Sequence, residues 1–125
     1  MNHLPPPQGF ILFAHGSRDP LWRLPIEAVA QQVRQSAPHA QVECAYLELT
    51  KPDLSTVVAQ MLQNEVAHIR IVPMFLGVGK HAREDLPDLI EQLRVAHPLV
   101  TFELRTAIGE EPELTKAMAD IALKP

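Results

Sequence analysis

Val72–Leu86, which reads VPMFLGVGKHAREDL, is the stretch that decides the fold. An apolar run ends in it, Gly77-Val78-Gly79 follows, and Lys80-His81 precedes a segment with helical spacing. A buried strand that opens into a glycine loop and then presents a histidine near a helix start is typical of a ligand site at a sheet edge. The rest of the chain is therefore interpreted as a scaffold that brings other groups towards His81.

Length and composition fit one domain. The chain has 125 residues, of which 46% are hydrophobic and 21% charged, as is ordinary for a globular protein. Residues 1–8, with three consecutive prolines, predict an extended tail partly in polyproline II, and residues 9–125 predict a single α/β domain. The net charge of -4 gives no general attraction to nucleic acid. One cysteine, Cys44, excludes an intrachain disulfide and a Cys-based zinc site. The apolar runs are too short for a membrane span, and we expect a cytoplasmic protein.

Hydrophobic patterns predict four strands that alternate with four helices. The strands are expected over residues 9–14, 41–47, 68–76 and 101–105. The helices are expected over 24–36, from Thr50 or Asp53 to about 65, from His81 or Asp85 to 96, and over 113–123. This alternation predicts a parallel sheet with helices on both faces. Strands one and three are apolar throughout and therefore central, which gives the strand order 2-1-3-4. Pro87 leaves open whether His81 lies on its helix or on the loop before it. No internal repeat stands out.

Candidate ligands converge on one edge of this sheet. The switch point lies between strands one and three, at their carboxyl ends. His15 follows strand one, His81 follows strand three, and Glu48 follows strand two, so the two histidines are predicted to face each other. Imidazole suits Co, Ni, Zn or Fe, and a neutral imidazole can accept a proton near neutral pH. Taken alone, a histidine at a strand end such as His15 is more often a capping or hydrogen-bonding residue, Glu48 a solvated loop carboxylate and the glycine pair a tight turn.

Three segments carry a family resemblance. They are FAHGSRDP (Phe13–Pro20), YLEL (Tyr46–Leu49) and PMFLGVGKHAREDLP (Pro73–Pro87). In order and spacing they resemble the short-form CbiX-type sirohydrochlorin cobaltochelatases, within the class II tetrapyrrole chelatases. The resemblance implies a chelatase-like half-domain that acts as a homodimer with facing halves. It also implies insertion of Co2+ into sirohydrochlorin, with release of two pyrrole protons, on the route to cobalamin.

The resemblance also assigns residues. It implies that His15 is a metal ligand and the proton acceptor, that His81 is the second metal ligand, and that Glu48 is the acidic residue at the substrate site. The residues implied to lie along the macrocycle are Phe75, Leu76, Gly77, Val78, Gly79 and Lys80. Co2+ is expected as substrate metal, with Ni2+ or Fe2+ as alternatives. No nucleotide cofactor is expected, because no phosphate loop is present.

Functions of other classes remain open. A non-catalytic metal or tetrapyrrole carrier would bind the same ligands without raising the insertion rate. A flavodoxin-like signalling or nucleotide-binding module is less favoured, because His15-Gly16-Ser17 stands where a phospho-receiver has an acidic cluster. A ferrochelatase or nickel chelatase differs from a cobaltochelatase only in the metal, which the ligand types do not select.

Overall fold

The computed structural model of this chain describes residues 6–125, so residues 1–5 of the predicted tail lie outside the described part. Its strands are β1 (Gln8–Ala14), β2 (Gln41–Tyr46), β3 (His68–Pro73) and β4 (Thr101–Leu104). Its helices are α1 (Leu24–Ser36), α2 (Leu54–Gln63), α3 (Lys80–Ala96), the short 3-10 helix η1 (Ile108–Glu110) and α4 (Pro112–Ala122). Gln8, expected in the tail, already belongs to β1. Within residues 6–125 no helix is long and apolar enough to cross a bilayer.

The four strands form one parallel sheet in the order β2-β1-β3-β4, which confirms the prediction. The side chains of β1 alternate between two apolar layers. Ile11 and Phe13 pack with α2 and α3 on one face, while Leu12 packs with α1 on the other. Helices therefore cover both faces, and the sheet changes winding direction between β1 and β3. The carboxyl ends of these two strands position the candidate site.

The helix α3 begins earlier than its proline suggests. It starts at Lys80, with Gly79 as its N-cap, and Pro87 lies inside it. The Arg83 amide donates to the Gly79 carbonyl at 3.1 Å, so the first turn is closed before the proline is reached. Proline removes one backbone donor, and the helix continues on both sides of that missing bond. His81 therefore lies in the first turn of α3, which decides the alternative that the sequence left open.

The helix α2 is capped by the second of its two candidate residues. Asp53 is extended and its carboxylate accepts from the Thr56 amide at 2.9 Å. This hydrogen bond lowers the pKa of the Asp53 carboxyl below its usual value. Thr50 instead accepts a hydrogen bond from the Arg23 guanidinium through its hydroxyl. An Asp at the N-cap accepts a hydrogen bond from an otherwise unpaired amide of the first turn. Its negative charge also interacts favourably with the positive end of the helix dipole.

The order of strands and helices repeats at an offset of about 60 residues, a repeat that did not stand out in the sequence. Gly9 lies beside Ile69, and each following residue of β1 lies beside the residue 60 positions later, up to Phe13 beside Pro73. The next helices end in the same way: the residues after α1 and α3, Ala37 and His97, have backbone angles within two degrees of each other. The strand, helix and turn of residues 9–40 are thus repeated in residues 69–100, although few side chains are identical.

The repeat extends to the two edge strands. Arg34, near the end of α1, donates to the Val42 carbonyl of β2 at 2.7 Å. Arg94, near the end of α3, donates to the Phe102 carbonyl of β4 at 3.0 Å. In each case the arginine lies eight residues before its acceptor. A side chain that donates a hydrogen bond to a carbonyl of an edge strand reduces the tendency of that strand to pair with another chain.

Candidate site at the carboxyl edge of the sheet

His15 is the first residue after β1, and Glu48 is bound to it through the backbone. The Leu47 amide donates to the Ala14 carbonyl and the Glu48 amide to the His15 carbonyl, both at 2.9 Å. The pairing of β1 with β2 thus continues for two residues beyond the strands. Both side chains are exposed at the carboxyl edge. The structure therefore brings His15 and Glu48 together, as the sequence predicted.

Gly16 allows this close approach. Its φ is +104°, and a Cβ built on it would lie 1.8 Å from the Glu48 carbonyl oxygen. Leu49, which follows Glu48 in the loop that packs against Gly16, also has a positive φ of 67°. A side chain at Gly16 is excluded both by the backbone conformation and by the neighbouring loop. The glycine of the HGSR segment thus fixes the positions of His15 and Glu48.

The imidazole of His15 rests on a buried aromatic ring. Its centroid lies 4.4 Å from that of Phe75, with 36° between the ring planes. Phe75 is only 3% exposed and also contacts Phe13, with centroids 6.3 Å apart. Phe75 belongs to the main core, and its contact with His15 limits the positions available to the imidazole. This support of His15 is a role that the sequence did not suggest, because it depends on the β1–β3 register.

The loop before α3 is open to solvent on one side. Within residues 6–125, no atom lies within 4 Å of a Cβ built on Gly77 or Gly79, and Leu76 is 66% exposed. Val78 is half-buried against the core, whereas Lys80 is exposed. A ligand face can therefore approach the backbone of this loop closely, as its glycines predicted.

Gly109, to which the sequence patterns assigned no role, contacts the backbone of this loop. The Gly109 amide of η1 donates to the Phe75 carbonyl at 3.0 Å. A Cβ on Gly109 would lie 1.7 Å from the Leu76 carbonyl oxygen. In the sequence Gly109 is a single glycine shortly after strand four. Its role can be inferred only once the loop after β3 is known to pack against it. The 3-10 helix η1 therefore holds the predicted macrocycle loop in place.

His81 lies in the helix that follows β3 and its connecting loop. It is exposed in the first turn of α3, where backbone amides also point outwards. Among residues 6–125 no group of three or more His, Cys, Asp or Glu side chains is arranged to hold a metal ion. A closed cage is therefore absent from this part of the chain, and a clamp of two histidines remains a prediction.

Exposed apolar side chains lie at the same sheet edge as His15, a set that the sequence patterns did not reveal. They lie on the loops that follow β1, β2 and β3: Leu21 (68% exposed), Trp22 (36%), Leu47 (48%), Leu49 (52%) and Leu76 (66%). Their signal in the sequence is that large apolar residues occur in loops, outside the helical and strand patterns. A group of apolar side chains around a polar residue is typical of a surface that binds a ligand or partner. We refer to these five residues as the apolar rim.

A groove of about 640 Å3 lies between α1, β2 and the loop that follows β2. Its lining includes Cys44 and Tyr46 but none of the residues predicted for the site. Burial raises the pKa of the Cys44 thiol, which disfavours the thiolate. Cys44 is thus well explained as a small residue of β2.

The single tyrosine of the chain reports on the packing beside the site. Burial raises the pKa of Tyr46 from 10.0 to about 12. We expect an ultraviolet titration of the phenolate to have its midpoint near pH 12 in the folded protein and near pH 10 in denaturant. Because the folded pKa is the higher one, the stability linked to Tyr46 is present below pH 10 and is lost between pH 10 and 12. A native midpoint near 10 would contradict this packing, and Tyr46→Phe should remove the signal.

The CbiX family model matches residues 9–123. A sirohydrochlorin cobaltochelatase from Methanopyrus kandleri is 32% identical over 80 residues, 64% of this chain and 56% of the relative. A sirohydrochlorin ferrochelatase from Bacillus subtilis is 26% identical over 111 residues, 89% of this chain and 42% of the relative. The chain thus spans about half the length of these curated relatives.

Two solved structures share the fold. A CbiX protein from Marinobacter aquaeolei VT8 has a TM-score of 0.82 and 37% identity, with 93% of this chain and 94% of that chain covered. The sirohydrochlorin chelatase SirB from Bacillus subtilis subspecies spizizenii, in complex with cobalt, has a TM-score of 0.76 and 27% identity. That comparison covers 93% of this chain and 51% of SirB. The family model, which spans nearly the whole described fold and all three loops of the carboxyl edge, shows that this chain belongs to the CbiX family.

Proposed function

We propose that this chain is a sirohydrochlorin chelatase, which inserts a divalent metal ion into the macrocycle. The observation that carries the proposal is the position of His15. It carries an exposed imidazole that stacks on the Phe75 ring, its backbone is hydrogen-bonded to the Glu48 loop, and it lies at the same sheet edge as the apolar rim. The activity named for several relatives supports the same chemistry.

The proposed reaction requires few and exchangeable protein ligands. A metal ion must give up water and pass to four ring nitrogens, while two pyrrole protons leave. His15 and His81 bind the ion in this proposal, and the neutral imidazole of His15 accepts a pyrrole proton. A pair of histidines leaves most coordination positions open to water and to the macrocycle. The lack of a third clustered ligand among residues 6–125 supports transfer of the metal over permanent storage.

The proposed position of the macrocycle follows from the surface around His15. An apolar ring face fits the apolar rim and the open glycine loop of residues 76–79. The carboxylates at the edge of the macrocycle are proposed to pair with exposed cations, namely Arg18, Lys80 and Arg83. None of these three side chains forms an ion pair with another residue in the range 6–125. Glu48, beside His15, is proposed to face the substrate.

Co2+ is the metal that we propose, with cobalamin biosynthesis as the pathway and the cytoplasm as the compartment. Several relatives are named cobaltochelatases, whereas others are named ferrochelatases. Imidazole ligands accept either metal and also Ni2+, so the assignment depends on relative rates. We also propose that the active form is a homodimer, because the fold aligns with only about half of the SirB chain.

Absorption spectroscopy tests the proposal. Purified protein is mixed with sirohydrochlorin and Co2+, Fe2+ or Ni2+, and the spectral change of the macrocycle is followed against the reaction without protein. We expect acceleration with Co2+ to exceed that with Fe2+ and Ni2+, and two protons to be released per metal inserted. Tight binding of sirohydrochlorin without acceleration by any metal would instead identify a carrier. Faster insertion of iron or nickel would retain the chelatase and correct its metal.

A further inference from the structure

Leu49 has a backbone conformation that leucine rarely adopts. Its φ is 67°, and the Thr50 amide donates to the Glu48 carbonyl at 2.8 Å. These two features define a γ-turn with a positive φ at its central residue, which is the rare and strained form of that turn. Among residues 6–125, Glu65 is the only other residue besides glycine with a positive φ. Glu65 follows the C-cap of α2, where a left-handed residue is common, whereas no helix ends at Leu49.

Contacts on both sides hold this strained turn in place. Before Leu49, the Glu48 amide donates to the His15 carbonyl at 2.9 Å. After Leu49, the Thr50 hydroxyl accepts from the Arg23 guanidinium at 3.1 Å. Residues in unfavourable backbone regions persist where the surrounding structure fixes them, and they concentrate at functional sites. The turn therefore has a fixed shape, and its strain is of the kind found at ligand sites.

Core packing does not explain why a leucine occupies this turn. Its side chain is 52% exposed, and it belongs to neither of the two apolar clusters formed within residues 6–125. Glycine or asparagine would adopt the same φ with less strain. The leucine instead exposes an apolar side chain one Cα step, about 3.8 Å, beyond Glu48. The turn thus places apolar surface next to the acidic residue of the carboxyl edge.

We infer that Leu49 contacts the face of the bound macrocycle and determines its affinity, and that the γ-turn presents this side chain before the ligand arrives. The inference rests on the proposed function, because its ligand is the macrocycle that His15 is proposed to metallate. A turn that is fixed in the free protein does not have to be ordered on binding, which favours affinity. The contact buries the exposed half of the leucine side chain, which corresponds to roughly tenfold in affinity.

Two substitutions at Leu49 separate the side chain from the backbone strain. Leu49→Ala removes the contact and keeps the strain, whereas Leu49→Gly removes both. At an ordinary position glycine is less stable than alanine, but here we expect the glycine variant to melt about 3–5 °C above the alanine variant. Both variants should bind metal-free sirohydrochlorin about tenfold more weakly than wild type. Titrations followed by the fluorescence of the single tryptophan, Trp22, measure affinity, and circular dichroism measures the thermal midpoint.

Glu65 supplies the matched control for these variants. It is exposed, its φ is 65°, and it lies between α2 and β3, at the opposite edge of the sheet. Glu65→Gly should also melt above Glu65→Ala, because the same backbone strain is relieved. Both Glu65 variants should bind sirohydrochlorin as tightly as wild type. Strain at Glu65 thus affects stability alone, whereas the residue at position 49 affects stability and binding.

The failure of this inference is distinguishable from failure of the proposed function. If wild type binds sirohydrochlorin and either Leu49 variant binds it equally well, the contact is overturned while the chelatase stands. Equal losses of affinity in the Leu49 and Glu65 variants also overturn the contact. A Leu49→Gly variant that melts below Leu49→Ala overturns the presentation by a strained turn. A wild type that neither binds nor metallates sirohydrochlorin overturns the proposed function and this inference with it.

Discussion

His15→Ala is expected to reduce the rate of metal insertion by about 100-fold or more while the protein stays folded. The side chain is exposed, and its main contact is the stacked ring of Phe75, so its removal leaves the core packed. The lost activity is that of a metal ligand and proton acceptor at the end of β1. Initial rates of Co2+ insertion into sirohydrochlorin, with circular dichroism of the same samples, measure both effects.

Two further measurements separate chemistry from structure. Added imidazole should restore part of the activity of His15→Ala, since a free base can take the vacated place, and a structural defect would not respond to it. His39→Ala is the matched control, because His39 is exposed in the turn between α1 and β2, at the opposite edge of the sheet. His81→Ala should also lose most activity. A wild-type rate in both His15→Ala and His81→Ala would refute the proposed site.

Gly16→Ala is expected to destabilise the protein by about 3 kcal/mol or more. The added methyl group would meet the Glu48 carbonyl oxygen, which belongs to the backbone and has no alternative rotamer. The backbone at φ +104° is also unfavourable for any residue with a Cβ. Relief of the contact would move the Glu48 loop away from His15, so activity should fall even in molecules that remain folded. Urea unfolding measures the change in free energy.

Gly77→Ala is the control for this substitution. No atom lies within 4 Å of a Cβ built at Gly77, and its φ is outside the left-handed range. We expect its free energy of unfolding to stay within about 0.5 kcal/mol of wild type. Equal stability of the Gly16 and Gly77 variants would show that the β1 loop and the Glu48 loop do not cross as the structure places them.

Local patterns in the sequence determined the architecture. Apolar runs without alternation marked β1 and β3 as central strands, because a strand covered on both faces has no polar side. The strand order then placed His15 and Glu48 at one edge, because carboxyl ends of parallel strands lie together. The sequence was less informative about ends of elements. β3 stops at Pro73, three residues before the end of its apolar run, and α3 begins at Lys80 with Pro87 inside it, whereas the sequence left a start near Asp85 open.

Only the tertiary structure decided how the site is supported. The stacking of His15 on Phe75 and the crossings at Gly16 and Gly109 join residues that are 32 to 60 positions apart, so no local pattern reports them. The exposure of α4 is a fact of the same kind. The apolar residues of α4 have the same spacing as those of α2. Helix propensity and spacing do not show which of the two helices packs against the sheet. Hydrophobic spacing thus determines which elements form, whereas contacts between distant residues determine which side chains remain available for a ligand or a second chain.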